Sequence, residues 1–201
     1  GRAPTILLGI NSKTMPAFKS VADLKGKKLG VTAPGSSTNI VANFVRGKAG
    51  IKPNEVSIIG VGAGSGAVAA MRSGQIDAMS NLDPVITLLQ RSGDLKIVTD
   101  TRIVADADRV FGGPMPAGCL SAPQTLIDWN PNTIQAPTNA LVRAHRWIQA
   151  AGPSANLQAD AANHLLVDPA GYTHTFLPPH APPPPHRPAP PPSPQHSPPP
   201  P

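Results

Sequence analysis

The chain predicts an α/β fold with a doubly wound sheet, and three observations carry that reading. Between residues 20 and 100, short apolar or β-branched runs alternate with helical stretches at the spacing of β–α–β units, which argues for a parallel sheet with helices on both faces. The connections after those runs are rich in Ser, Thr and Gly. The hydrophobic residues are 40% of the chain but aromatics only 3%, so small aliphatic side chains must let helices pack close to strands.

The elements follow in order. Thr5–Ile10 is a short apolar run with the length of a buried strand. A connector with Pro16 leads to a helical turn over Ser20–Leu24, where Ser20 and Asp23 have capping-box spacing. Lys28–Thr32 is the next strand. Over Asn39–Ala49, Ile40, Val41, Phe44 and Val45 share one helical face, and Gly50 ends the helix. Val56–Val61 is a strand, Ala67–Arg72 a short alanine-rich helix closed by Gly74, and Ile76–Ser80 a third strand. Pro84 suits the first turn of a helix over Val85–Arg91, and Leu95–Thr99 is a fourth strand. Ala105–Gly113 reads as irregular and Ala117–Ser121 as a strand. Thr133–Ala151 is the longest helix, with Pro137 in its first turns; Ala159–Leu166 and Pro169–Phe176 are shorter ones.

From Leu177 the composition changes. Proline supplies 15 of the 24 residues from Pro178 to Pro201, out of 27 in the chain. Proline lacks an N–H and fixes φ, so this tail is expected to be disordered, extended and polyproline-like. The net charge is +6, with Lys25, Lys27 and Lys28 the tightest basic group. No aromatics interleave with the lysines, as they do in single-strand binders; a solvated face accounts for them, and no nucleic acid is expected. A basic balance also suits small acidic ligands. Cys119 is the single cysteine. It excludes an internal disulfide and a thiolate zinc site, and its apolar surroundings predict a buried structural role. No run is long enough to cross a membrane as a helix.

Three loops carry the chemistry. Thr32–Thr38 lies between a strand and a helix, and a helix N-terminus offers unpaired N–H groups and partial positive charge to an anion. Ser36, Ser37 and Thr38 can cap that helix or donate to a ligand. Gly62–Ala67 matches G-x-G-x-x-A between a strand and a helix, a dinucleotide-binding context, with Asp83 at the spacing of the ribose-binding acid. The same glycines also serve close backbone approach. Asn81 and Asp83 follow the third strand at its carboxyl end, where ligands gather in open α/β sheets. No nucleophile elbow, metal-ligand spacing or catalytic pair appears, so the expectation is a non-enzyme without cofactor or metal.

Leu24-Lys25-Gly26-Lys27-Lys28-Leu29-Gly30-Val31 and Ser73-Gly74-Gln75-Ile76-Asp77-Ala78, with Asn81-Leu82-Asp83-Pro84 and Phe111-Gly112-Gly113-Pro114, resemble the nitrate/sulfonate/taurine-type substrate-binding proteins of ABC importers, in the thiamine-pyrimidine-binder superfamily. The resemblance covers roughly residues 5–176. It implies a type II periplasmic-binding-protein-like α/β fold with one complete doubly wound lobe and an incomplete second lobe. The implied division is 1–27 as the end of the first lobe and crossover, 28–101 as the complete second lobe, 102–177 as the return crossover and partial first lobe, and 178–201 as the Pro-rich tail. It implies a solute-binding component that holds a small anionic solute between lobes. The expected contacts are Ser36, Ser37, Thr38, Gly62, Ala63, Gly64, Asn81 and Asp83, with Asn11 and Ser12 at the crossover. The partner is a membrane permease, the protein a monomer, and the setting of the full-length family periplasmic.

Two other readings stand beside this one. The first is a nucleotide-dependent oxidoreductase using Gly62–Ala67, which needs NAD or FAD. The second is a proline tail docking aromatic grooves. The missing early half of the first lobe, the lack of a signal peptide and the abrupt tail together predict a truncated or frame-disrupted, non-functional gene product.

Overall fold

The computed structural model describes residues 5–116 and 118–160. Its five strands are β1 (Leu7–Asn11), β2 (Lys28–Val31), β3 (Ser57–Gly60), β4 (Ala78–Asn81) and β5 (Leu95–Asp100). Its helices are α1 (Ser37–Lys48), α2 (Ser65–Arg72), α3 (Val85–Arg91), α4 (Val104–Phe111), α5 (Gln124–Trp129) and α6 (Pro131–Asp160). The strands form one sheet in the order β3-β2-β4-β1-β5. β2 is parallel to β3 and β4, whereas β1 runs antiparallel to both β4 and β5.

The expected parallel sheet is therefore mixed. β1 is not an unpaired remnant of another lobe but an internal strand of the same sheet as residues 28–101, with Leu7 opposite both Asn81 and Asp100. The physical reason is in its side chains. All five residues are buried, and a strand buried on both faces and both edges has no stable place outside a sheet.

Two cores flank the sheet, as alternation along a strand requires. Ile6, Leu8 and Ile10 join Leu29, Val31, Val41, Val45 and Val110 on one face. Leu7 joins Met71, Ile76, Met79, Ile86, Leu89 and Leu95 on the other. Helices α1 and α4 cover the first face, and α2 and α3 the second, which is the doubly wound arrangement. Gly9 lets Leu95 lie directly over β1, since a Cβ there would sit 2.3 Å from Leu95 Cδ2.

Other expectations need correction. Residues 105–113 are largely helical: α4 carries Ala107 and Val110 into the core and stops at Gly112, with φ of 80°. The helical spacing of Ile103, Ala107, Val110 and Phe111 is the missed signal. Residues 118–121 form no strand and pair with none of the five strands of the sheet, and Cys119 is exposed. The long helix begins at Pro131 and breaks at Gly152, which has φ 72° and ψ 172°. The shorter helix expected over Pro169–Phe176, most of that over Ala159–Leu166 and the Pro-rich tail lie outside the described residues.

Candidate functional site

The register places the carboxyl ends of β2, β3, β4 and β5 on one edge of the sheet. Val31 pairs with Gly60, Gly30 with Met79, and Leu7 links Asn81 to Asp100. The loops Thr32–Thr38, Val61–Gly64, Asn81–Pro84 and Thr101–Arg102 thus form one rim.

The first loop is built on three hydroxyls. Thr32 Oγ1 lies 3.0 Å from Ser36 Oγ and 2.8 Å from Thr38 Oγ1, and Ser36 Oγ lies 2.8 Å from Thr38 Oγ1. Each hydroxyl in such a triangle gives its one proton to the next. Thr38 Oγ1 also accepts from the Thr32 N–H at 3.0 Å, and Ser36 Oγ caps α1 by accepting from the Asn39 N–H at 3.3 Å. Thr38 is fully buried, Ser36 half-buried and Ser37 exposed. Thr38 therefore holds the loop, while Ser36 and Ser37 are the hydroxyls a ligand can reach. Swapping one triangle bond for a ligand bond at Ser36 leaves Thr38 still bonded to Thr32.

Gly62 ties the second loop to the others. Its N–H donates to Thr32 O at 3.1 Å and its carbonyl accepts from Asn81 Nδ2 at 2.9 Å. Its φ of 75° is in the left-handed region, where a Cβ is strained. Gly62 and Ala63 are exposed, and Gly64 caps α2. Asn81 is fully buried and also accepts from the Leu82 N–H, so it braces the rim.

Asp83 is committed on both sides. One oxygen accepts from the Thr87 N–H at 3.0 Å and Thr87 Oγ1 at 2.7 Å, holding the start of α3. The other meets Arg102 Nη1 at 2.8 Å, and Arg102 Nη2 meets Asp100 at 2.7 Å. Burial works against the Arg102 charge. The hydrogen bond to Asp100 and the fields of Asp83 and Asp100 outweigh it and hold its pKa above the ordinary guanidinium value. Thr101 closes this side, accepting from the Ile6 N–H at 3.0 Å and donating to Ile6 O at 2.6 Å.

Asn11 and Ser12 do not join this rim. Because β1 is antiparallel, they emerge at the opposite edge. There Asn11 Nδ2 donates to Met71 O and Ile76 O, and its Oδ1 accepts from the Lys13 and Thr14 N–H groups. Thr32, which the sequence places in the first loop without naming it as a contact, belongs to the rim, as do three residues that escaped the sequence reading, Asp100, Thr101 and Arg102. The signal for the last three was their place at the end of a parallel strand. A separate cleft of about 300 Å³ is lined by Leu120, Ile127, Ile134, Leu141, Val142 and His145; it is apolar and draws no residue from the rim loops.

Known proteins resemble this chain in sequence and in fold. A solved structure from Bordetella bronchiseptica RB50 is 58% identical with a TM-score of 0.81, covering 87% of this chain and 55% of its own. The alkanesulfonate-binding protein SsuA from Xanthomonas axonopodis pv. citri, solved bound to MOPS, is 23% identical with a TM-score of 0.63, covering 87% of this chain and 57% of its own. A protein named as a binding protein in Brucella abortus is 45% identical over 69 residues, 34% of this chain and 21% of that protein. The chain thus spans about half the length of the solved relatives it matches. The fold is that of a periplasmic-binding-protein-like α/β lobe. The chain belongs to the NMT1-like family, whose model matches residues 11–165.

Proposed function

We propose that this chain is the solute-binding part of an ABC-type importer, and that the rim holds a small anion against the N-termini of α1 and α2. The observation that carries this is the convergence of Ser36, Ser37 and the Gly62–Gly64 backbone at the carboxyl edge of the sheet, where helix N-termini supply N–H donors and positive potential. Thr38 and Asn81 position those groups, and Asp83 is locked by Arg102. The reading includes two lobes closing over the solute by a hinge, a membrane permease as partner, a monomer and a periplasmic setting. A periplasmic sulfonate-binding protein SsuA from Methylobacillus flagellatus KT, 26% identical at a TM-score of 0.53, supports an oxyanion as the solute class.

Calorimetry tests this on the chain alone and on a version completed with the part of the Bordetella protein that has no counterpart here. Alkanesulfonates, nitrate and aromatic carboxylates are the probes. The completed protein binds one of these classes, and Ser36→Ala weakens it about tenfold, the loss of one charge-assisted hydrogen bond. No heat with any of the anions, or a Ser36→Ala variant that binds unchanged, refutes the site.

A further inference from the structure

The edge opposite the rim collects the basic residues that look scattered in the sequence. It is formed by segments 13–28, 52–57, 72–77 and 91–96, which enter β2, β3, β4 and β5 or leave β1. These segments hold nine Lys and Arg residues against four carboxylates, in a chain of net charge +6. The carboxylates are already engaged. Glu55 pairs with Lys25 and Asp94 with Arg72. Asp23 accepts from the Lys19 and Ser20 N–H groups, and Asp77 from the Lys28 N–H. Among the described residues, Lys13, Lys19, Lys27, Lys28, Lys52 and Lys96 have no carboxylate within ion-pair distance, and all but half-buried Lys27 are exposed.

The hydrogen bonds make these positions contiguous. Gly26 N–H donates to Glu55 O, Ser57 N–H to Lys27 O, Asp77 N–H to Lys28 O, Asn11 N–H to Asp77 O and Ser12 N–H to Asp94 O. The row therefore crosses the whole sheet, about 19 Å for five strands at 4.8 Å spacing. Strands about 4.8 Å apart put adjoining segments well inside the Debye length of about 10 Å at 0.1 M salt, so the fields of the charges they carry add.

We propose that this edge is a docking surface for an anionic lipid bilayer. The row is broad and follows the edge of the sheet, and apart from Arg91 its unpaired cations are lysines. Point charges on flexible stems suit a diffuse field of headgroups, whereas bidentate phosphate or base recognition favours arginine. It carries no exposed aromatic on which a nucleic-acid base would stack. No large exposed apolar side chain anchors it, so the binding is electrostatic, reversible and salt-sensitive.

The test is sedimentation of the full chain with phosphatidylcholine vesicles, with and without about 30% phosphatidylglycerol, at low and high salt. The expected result is partitioning onto the anionic vesicles only, lost at high salt. At about fivefold per lysine, Lys28→Gln/Lys52→Gln lowers the partition constant about 25-fold, and Lys28→Glu/Lys52→Glu lowers it further. Arg143→Glu/Arg146→Glu on α6 has the same net charge as the second variant and changes it by less than about threefold. Circular dichroism and the unfolding midpoint establish that each variant is folded. Three results overturn the proposal: no partitioning onto anionic vesicles, equal losses in the edge and α6 variants, or lysine-dependent binding to duplex DNA with none to vesicles.

Discussion

Gly9→Ala tests the placement of β1 at its tightest point. The new Cβ would lie 2.3 Å from Leu95 Cδ2, 2.6 Å from Cγ and 2.9 Å from Cδ1. Carbon atoms in contact prefer about 3.5–4.0 Å, so the whole isobutyl group must move by about an ångström or more. Leu95 has little room to do so, being 3% exposed and packed in the α2–α3 core. Overpacking of this kind costs about 1–3 kcal/mol, offset by about 0.5–1 kcal/mol because alanine replaces a strand glycine. The expected net loss is about 1–2 kcal/mol in urea unfolding followed by circular dichroism. Leu95→Ala alone costs about 2–4 kcal/mol through its cavity. In the double variant the methyl enters that cavity, so the two losses fall short of additive by about 1 kcal/mol or more. Additivity within about 0.5 kcal/mol would mean that β1 does not lie against Leu95, and the antiparallel insertion would be wrong.

Two further outcomes follow from the charged clusters. Arg102→Met strands Asp83 and Asp100, whose side chains are 20% and 7% exposed. It costs about 2–3 kcal/mol, below the range for a fully buried pair; Arg102→Lys costs less, and adding Asp83→Asn and Asp100→Asn to Arg102→Met restores most of the loss in the same unfolding assay. Asp94 is held below its ordinary carboxylate value, first by the Ser92 hydroxyl and then by Arg72. A depressed carboxylate stabilises the fold above its unfolded pKa and loses that contribution as pH falls through the folded value. Asp94→Asn is therefore about 1 kcal/mol less stable than the parent at pH 7, and the two converge as unfolding is measured progressively below about pH 4.

Local pattern was enough for much of this molecule. Alternating apolar runs and helical faces located β2 to β5 and α1 to α3, because each is set by side chains near one another in sequence. The Ser36 cap and the Gly62 turn were legible for the same reason: a helix N-terminus and a positive φ each demand particular residues at particular positions. What sequence order could not show was which edge each loop reaches. That depends on the direction of β1, which pairs antiparallel with both β4 and β5. The direction of β1 separates Asn11 and Ser12 from the rim and brings Ile6 to Thr101. Arg102 meets Asp100 two residues before it, but the fold alone brings it to Asp83, 19 residues away. The lysines were visible singly as solvated charges. They become one surface only because parallel strands all begin, and an antiparallel strand ends, at the same edge of the sheet.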